Sequence, residues 1–259
     1  MNGRLPDFPW DRLAPAKARA GQHPEGMVDL SIGTPVDPVP EVIQRALTAA
    51  ADSPGYPTVA GTPELRAAAV DWMRRRLGVN VVAADSVLPV IGTKELVAWL
   101  PTLLGIGSTD RIVVPELAYP TYAVGAQLAG AQVVNRDSLV SLGPERVSMI
   151  WVNSPSNPTG QVLPKEHLRK VVSWARERGA VVVSDECYAE LGWESQPVSV
   201  LHDDVCGGSV GGVLAIHSLS KRSNMAGYRA GFAAGDPLLV AQLLAVRKHA
   251  GMMVPTPVQ

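Results

Sequence analysis

The sequence predicts an α/β domain built on a mostly parallel sheet with helices on both faces, and three observations carry that prediction. Short apolar runs rich in β-branched residues recur at Arg111 to Val114, Ser148 to Val152, Ala180 to Ser184 and Val213 to His217, each reading as a buried strand. Amphipathic stretches separate them, the alternation that parallel sheets require. With 259 residues, 46% of them hydrophobic, the chain can bury the core of a single large domain.

The elements follow in order. Residues 1–34, rich in Pro, Arg and Ala, read as an arm leading into a domain of residues 35–259. A helix is predicted after Gly61, with Thr62 as N-cap, Pro63 at the first helical position, and Leu65, Ala68, Ala69 and Trp72 on one face. The run Arg74, Arg75, Arg76 reads as its solvated side. Another helix starts near Thr93 and runs through LVAWLPTLLG, where Pro101 is expected to kink or end it. Lys165 to Arg178 repeats Leu168, Val171, Val172 and Ala175 at helical spacing, and Gly179 supplies the C-cap. A last helix opens near Pro237 and runs through His249, with Leu243, Leu244, Met252 and Met253 expected to form an exposed apolar patch.

Composition narrows the function. A formal net charge of -1 with dispersed basic residues argues against an electrostatic nucleic-acid binder. Cys187 and Cys206 are too few for a disulfide framework, which fits a reducing compartment. The five histidines are scattered, with no pair at the helical spacing of a metal site. No stretch reaches the roughly 18 apolar residues of a membrane span, and the N-terminus lacks the apolar core of a signal peptide. The expectation is a cytoplasmic protein without metal, membrane or nucleic-acid partner.

Three motifs sit at strand exits, where open α/β sheets bind ligands. His217-Ser218-Leu219-Ser220-Lys221, followed by Gly227-Tyr228-Arg229-Ala230-Gly231, gathers hydroxyls, a lysine and an arginine suited to an anion. Asn153-Ser154-Pro155-Ser156-Asn157-Pro158-Thr159-Gly160 constrains a loop bearing two asparagines. Ser184-Asp185-Glu186-Cys187-Tyr188 ends a buried strand in a carboxylate, which is costly to bury unless paired with a cation. Taken singly, each also fits a plainer role: a lysine in a polar surface loop, an ordinary turn, an aspartate capping the next helix.

In this order, Asn-Pro-Thr-Gly, Ser-Asp-Glu-x-Tyr and Ser-x-Ser-Lys with an arginine eight residues beyond resemble the class I/II aminotransferases of pyridoxal phosphate (PLP) fold type I. The likeness extends upstream through Tyr56, Ile91-Gly92-Thr93-Lys94-Glu95 and Pro115-Glu116-Leu117-Ala118-Tyr119-Pro120. It implies the cofactor PLP, with Lys221 holding it as a Schiff base and moving the substrate proton. It also implies that Asp185 keeps the ring nitrogen protonated, that Asn157 and Tyr188 bond the ring oxygen, and that Tyr119 stacks on the ring. Gly92, Thr93 and Lys94 would cradle the phosphate with Ser218, Ser220 and Arg229, Lys94 by its backbone. Tyr56 would reach the cofactor of a neighbouring subunit in a homodimer, and the Gly33 backbone would meet the substrate carboxylate.

Members of that family continue into a C-terminal small domain that carries a carboxylate-binding arginine, and no substitute for that arginine stands out here. Stretches such as PELAYPTYAVGAQLAG, VVSDECY and LAVRKHAGMMVP look like succinyldiaminopimelate aminotransferases, which implies amino transfer between N-succinyl-LL-2,6-diaminopimelate and 2-oxoglutarate in lysine biosynthesis. Two other readings stand beside it. One is an aminotransferase for aromatic, alanine or aspartate-type substrates. The other is a PLP-binding module without turnover.

Overall fold

The structure, a computed structural model, describes residues 5–144 and 146–259. After two short helices, α1 (Ala14–Ala20) and α2 (Glu41–Ala49), comes α3 (Pro63–Leu77). Thr62 caps α3 by accepting from the Leu65 N–H at 3.1 Å, with Pro63 at its first turn. The strands are β1 (Val87–Ile91), β2 (Arg111–Val114), β3 (Gln132–Asn135), β4 (Met149–Asn153), β5 (Val181–Asp185), β6 (Val213–Ser218) and β7 (Ala230–Gly235). The helices between and after them are α4 (Thr93–Leu103), α5 (Thr121–Ala129), α6 (Lys165–Glu177), α7 (Asp203–Cys206), α8 (Leu219–Arg222) and α9 (Pro237–Ala250).

They form a seven-stranded sheet of order β1-β7-β6-β5-β4-β2-β3. β7 runs antiparallel to both of its neighbours, and the remaining pairings are parallel. The alternation of side chains along each strand feeds two cores, one on each face. Ile150 and Val152 pack with Met73 of α3 and Leu168 of α6, whereas Met149 and Trp151 pack with Leu96 of α4, Ala126 of α5 and Leu243 of α9.

The four strands expected from β-branched runs are present within one residue of their predicted limits. Three others carried weaker signals. β1 contains Pro89, which a strand tolerates at a sheet edge, and β1 is an edge strand. β3 has four residues at the opposite edge. β7 reads AGFAAG, a composition with little strand preference of its own, and its glycines are needed for approach: a Cβ on Gly231 would lie 2.7 Å from the His217 carbonyl oxygen.

Of the two outcomes expected at Pro101, ending the helix is excluded, because α4 continues to Leu103. Proline cannot donate to the Val97 carbonyl four residues back, and α5 packs into that position, where a Cβ on Gly125 would stand 2.7 Å from the Val97 oxygen and 3.0 Å from that of Ala98. Gly125→Ala therefore overpacks the α4–α5 contact, and chemical denaturation should show a loss of about 1–3 kcal/mol. The expected apolar patch at the C-terminal end is also absent. α9 turns Leu243 fully inward, and Leu244, Met252 and Met253 are half-buried. Gly179, by contrast, ends α6 as anticipated, with φ +66° one residue past the C-cap Arg178.

Candidate active site

Strands β1, β4, β5 and β6 end at one edge of the sheet, and the antiparallel β7 begins there. The order reverses between β2 and β4, the point where open α/β sheets bind ligands. A cavity of about 540 Å³ opens at this edge. Gly33, Thr93, Lys94, Tyr119, Asn157, Asp185, Tyr188, Ser218, Ser220, Lys221 and Arg229 all line it. Gly92 stands behind Arg229, and Tyr56 lies outside the cavity, fully exposed.

Asp185, the last residue of β5, is buried and accepts from the Tyr122 hydroxyl at 2.7 Å and the Cys187 N–H at 3.2 Å. The cation expected beside this buried acid is not its partner here; both donors are neutral. Burial consequently pushes the carboxyl above its usual range. The Tyr122 phenol is held protonated by burial and by the Asp185 charge. Tyr122 stacks on Trp151 at 4.7 Å and meets Tyr119 edge-on at 5.9 Å, a ladder that props Tyr119 against the cavity.

The loop after β4 is tied down by Asn153. Its side chain accepts from the Asn157 N–H at 2.7 Å and donates to the carbonyls of Asp185 at 2.9 Å and Pro155 at 3.1 Å. Across the site, the Tyr188 phenol is pushed up to about 12, mainly by burial, and stays a donor at neutral pH. Cys187 also lines the cavity, its sulfur 3.3 Å from the Thr93 hydroxyl.

At the far end, α4 begins at Gly92 with φ +72° and no side-chain cap, so its first amides are available to an anion. A Cβ on Gly92 would come within 2.7 Å of the Arg229 guanidinium carbon. Arg229 itself has φ +55°, shared among described non-glycine residues only with Asn224 in being positive, a strained conformation of the kind that clusters at ligand clamps. Ser218 caps α8 by accepting from the Ser220 N–H at 3.1 Å. Lys221, on α8, donates from Nζ to the Gly33 carbonyl. The Lys94 ammonium points at the N-terminal arm, 4.8 Å from the Phe8 ring and 5.8 Å from that of Trp10.

These residues fit PLP. A buried acid suits a protonated ring nitrogen, two neutral donors suit a ring oxygen, and a helix N-terminus with an arginine and two hydroxyls suits a phosphate, beside a primary amine. Sequence reasoning missed Tyr122 and, for Asn153, which it placed in the loop motif, the bond to the Asp185 carbonyl. Tyr122 carried one usable signal, its place three residues after Tyr119 at the start of a helix.

Fold and site together define the large domain of a PLP protein of fold type I. The chain belongs to the class I and II aminotransferase family, whose sequence pattern matches residues 25–259. It is 63% identical to a probable aminotransferase of Mycobacterium tuberculosis, over all of this chain and 62% of the relative. It is 59% identical to the 4-dedimethylamino-4-oxo-anhydrotetracycline transaminase OxyQ of Streptomyces rimosus, over 98% of the chain and 71% of the relative. At 32% identity it matches the LL-diaminopimelate aminotransferase of Aquifex aeolicus, over 95% of the chain and 66% of the relative. The solved aminotransferase of Neisseria meningitidis superposes with a TM-score of 0.87 at 34% identity, covering the whole chain and 71% of that structure. The chain thus spans about two thirds of the length of these proteins. Among the described residues no helix is long and apolar enough to cross a membrane, and no cluster of potential metal ligands is found.

Proposed function

We propose that this chain carries the cofactor site of a PLP-dependent aminotransferase, with N-succinyl-LL-2,6-diaminopimelate and 2-oxoglutarate as the substrate pair. The observation that supports the class most is that Lys221, Asp185 and Arg229 line one cavity at the carboxyl edge of the sheet. When bound, PLP supplies an electron sink for the bond broken at the substrate Cα. The Asp185 carboxylate, oriented by Tyr122, holds the proton on the ring nitrogen. Asn157 and Tyr188 donate to the ring oxygen, and Tyr119 packs on the ring face for roughly 0.5–1.5 kcal/mol beyond area burial. The amides after Gly92, with Ser218, Ser220 and Arg229, grip the phosphate; Lys94 contributes its backbone. Lys221 Nζ would hold the cofactor and, once released, would serve as the general base for the proton at the substrate Cα. The Gly33 backbone borders the substrate carboxylate.

A homodimer agrees with the exposure of apolar side chains early in the chain. Val28 is 84%, Leu30 88% and Val36 93% exposed, and Tyr56 is 100% exposed, more than solvent contact alone would favour. In the dimer Tyr56 reaches the phosphate in the partner subunit. Free Cys187 and Cys206 agree with a cytoplasmic location.

The N-succinyl-LL-2,6-diaminopimelate substrate is supported by the look of several stretches; the relative at 32% identity is named for the unacylated LL-diaminopimelate. The 59% identity to OxyQ favours a second reading, with the 4-oxo tetracycline named for that enzyme as amino acceptor. A donor panel tests the first reading, and conversion of the 4-oxo tetracycline by the aminated protein tests the second. Added to the PLP-loaded protein, N-succinyl-LL-2,6-diaminopimelate should bleach the cofactor's visible absorbance faster than LL-diaminopimelate, aspartate, alanine or an aromatic amino acid. Equal rates for all donors would remove the substrate assignment and leave the class standing; bleaching by none would count against amino transfer.

A further inference from the structure

On the face of the sheet away from the cavity, the residues that follow Asp185 and precede Ser218 form a pair of their own. Strand alternation turns Asp185 and Ser218 to the cavity and Glu186 and His217 to the opposite core. The two side chains are 1% and 2% exposed, and His217 Nε2 faces Glu186 Oε2 at 3.6 Å. Glu186 Oε1 accepts from the Val200 N–H at 2.7 Å. Glu186 Oε2 and both imidazole nitrogens have no hydrogen-bond partner, although buried polar atoms in folded proteins nearly always have one.

We propose that Glu186 and His217 are a positioning pair that shares one proton, Glu186 Oε2–H donating to His217 Nε2, so that Glu186 stays uncharged beside Asp185. This rests on the reading of Asp185 as the ring-nitrogen partner. An ionised Glu186 would place a second anion next to Asp185 at the end of one buried strand, and like charges there oppose one another. Burial favours the neutral acid and pushes its carboxyl up to about 7, against the Val200 amide and the Ser199 and Ser184 hydroxyls, with Asp185 adding to the rise. Burial also lowers the imidazole to about 3; Arg222 deepens that shift and Glu190 opposes it. The other neighbours are uncharged rings, Trp72 at 5.1 Å and Phe232 at 5.0 Å. A neutral acid facing a neutral imidazole is the arrangement these surroundings favour. Since the Glu186 N–H also donates to the Ile216 carbonyl at 2.9 Å, the pair fastens β5 to β6 where Asp185 and Ser218 leave the sheet.

Nitrogen-15 NMR of the histidines in the cofactor-free chain tests the pair directly. His217 should remain neutral between about pH 5 and 8, with Nε2 as acceptor below about 7; an imidazolium signal anywhere in that range overturns the proposal. Glu186→Gln keeps a neutral donor toward Nε2 and should hold the PLP dissociation constant within about twofold of wild type, whereas Glu186→Leu raises it several-fold. Equal losses in the two variants would also overturn it. The folded protein retains the Glu186 proton up to about 7 while the unfolded chain releases it near 4.5, so wild-type thermal stability falls as pH rises through that window. Glu186→Gln should show a smaller fall, keeping only the share due to Asp185. If the wild-type chain binds no PLP, the site reading fails, and the histidine spectra still decide the pair.

Discussion

Lys221→Ala abolishes the borohydride-sensitive absorbance that PLP acquires in the wild-type protein, and it removes proton transfer at the substrate Cα. Losing a positioned general base costs roughly 10²–10⁴-fold in rate, and in the proposed role the same side chain also anchors the cofactor, so turnover should drop below detection. The protein should still fold, because Lys221 is not part of the core and its Nζ contacts only the Gly33 carbonyl among the hydrogen bonds it makes. Circular dichroism alongside the absorbance titration separates the two effects. A variant that folds and still shows the borohydride-sensitive band would mean that another amine holds the cofactor.

Asp185→Asn is expected to move stability and cofactor affinity in opposite directions. The asparagine can still accept from Tyr122 through its one oxygen but not also from the Cys187 N–H, and it no longer offers a charge to the ring nitrogen, a loss of about 1.5–3 kcal/mol, or roughly 10- to 100-fold in the PLP dissociation constant. The cofactor-free protein should gain stability at neutral pH. Burial raises the Asp185 carboxyl from 3.8, so the folded state binds more protons than the unfolded state above that pH. Wild-type stability therefore declines as pH rises from there through the folded-state value, and the asparagine variant loses this share of the decline while keeping the share due to Glu186. Paired calorimetry of the two cofactor-free proteins reads this directly. Parallel pH profiles would mean that the buried carboxylate is better compensated than its two neutral donors suggest.

The legible parts of the fold were those in which one strand buries both faces. Ile112 to Val114 and Val181 to Ser184 announce themselves by β-branched composition, and the Thr62-Pro63 start of α3 by capping chemistry. β7 was silent because what it needs is small residues for close approach to β6, and small residues carry no strand preference. The motif-borne site residues were legible because each lies at a strand exit. Tyr122 and the role of Asn153 were not, since each residue acts on Asp185 from another element, and only the packed sheet brings residue 122 to residue 185. Phe8 and Trp10 were hidden for the same reason: an arm shows its contacts only once it is folded back over Lys94.

The pairing of β1 with β7 joins residues 87–91 to residues 230–234, a separation that spans more than half of the chain. Gly92 and Thr93 follow directly from β1, and Arg229 immediately precedes β7, so the two sides of the anion cradle meet only when that pairing forms. During synthesis the cradle has to wait until the ribosome has released the segment around Gly235, long after β2 to β6 could have begun to associate. Contacts this distant in sequence close slowly, so if these residues hold the phosphate as proposed, PLP capture should be a late event and cofactor fluorescence should report completed folding rather than early collapse.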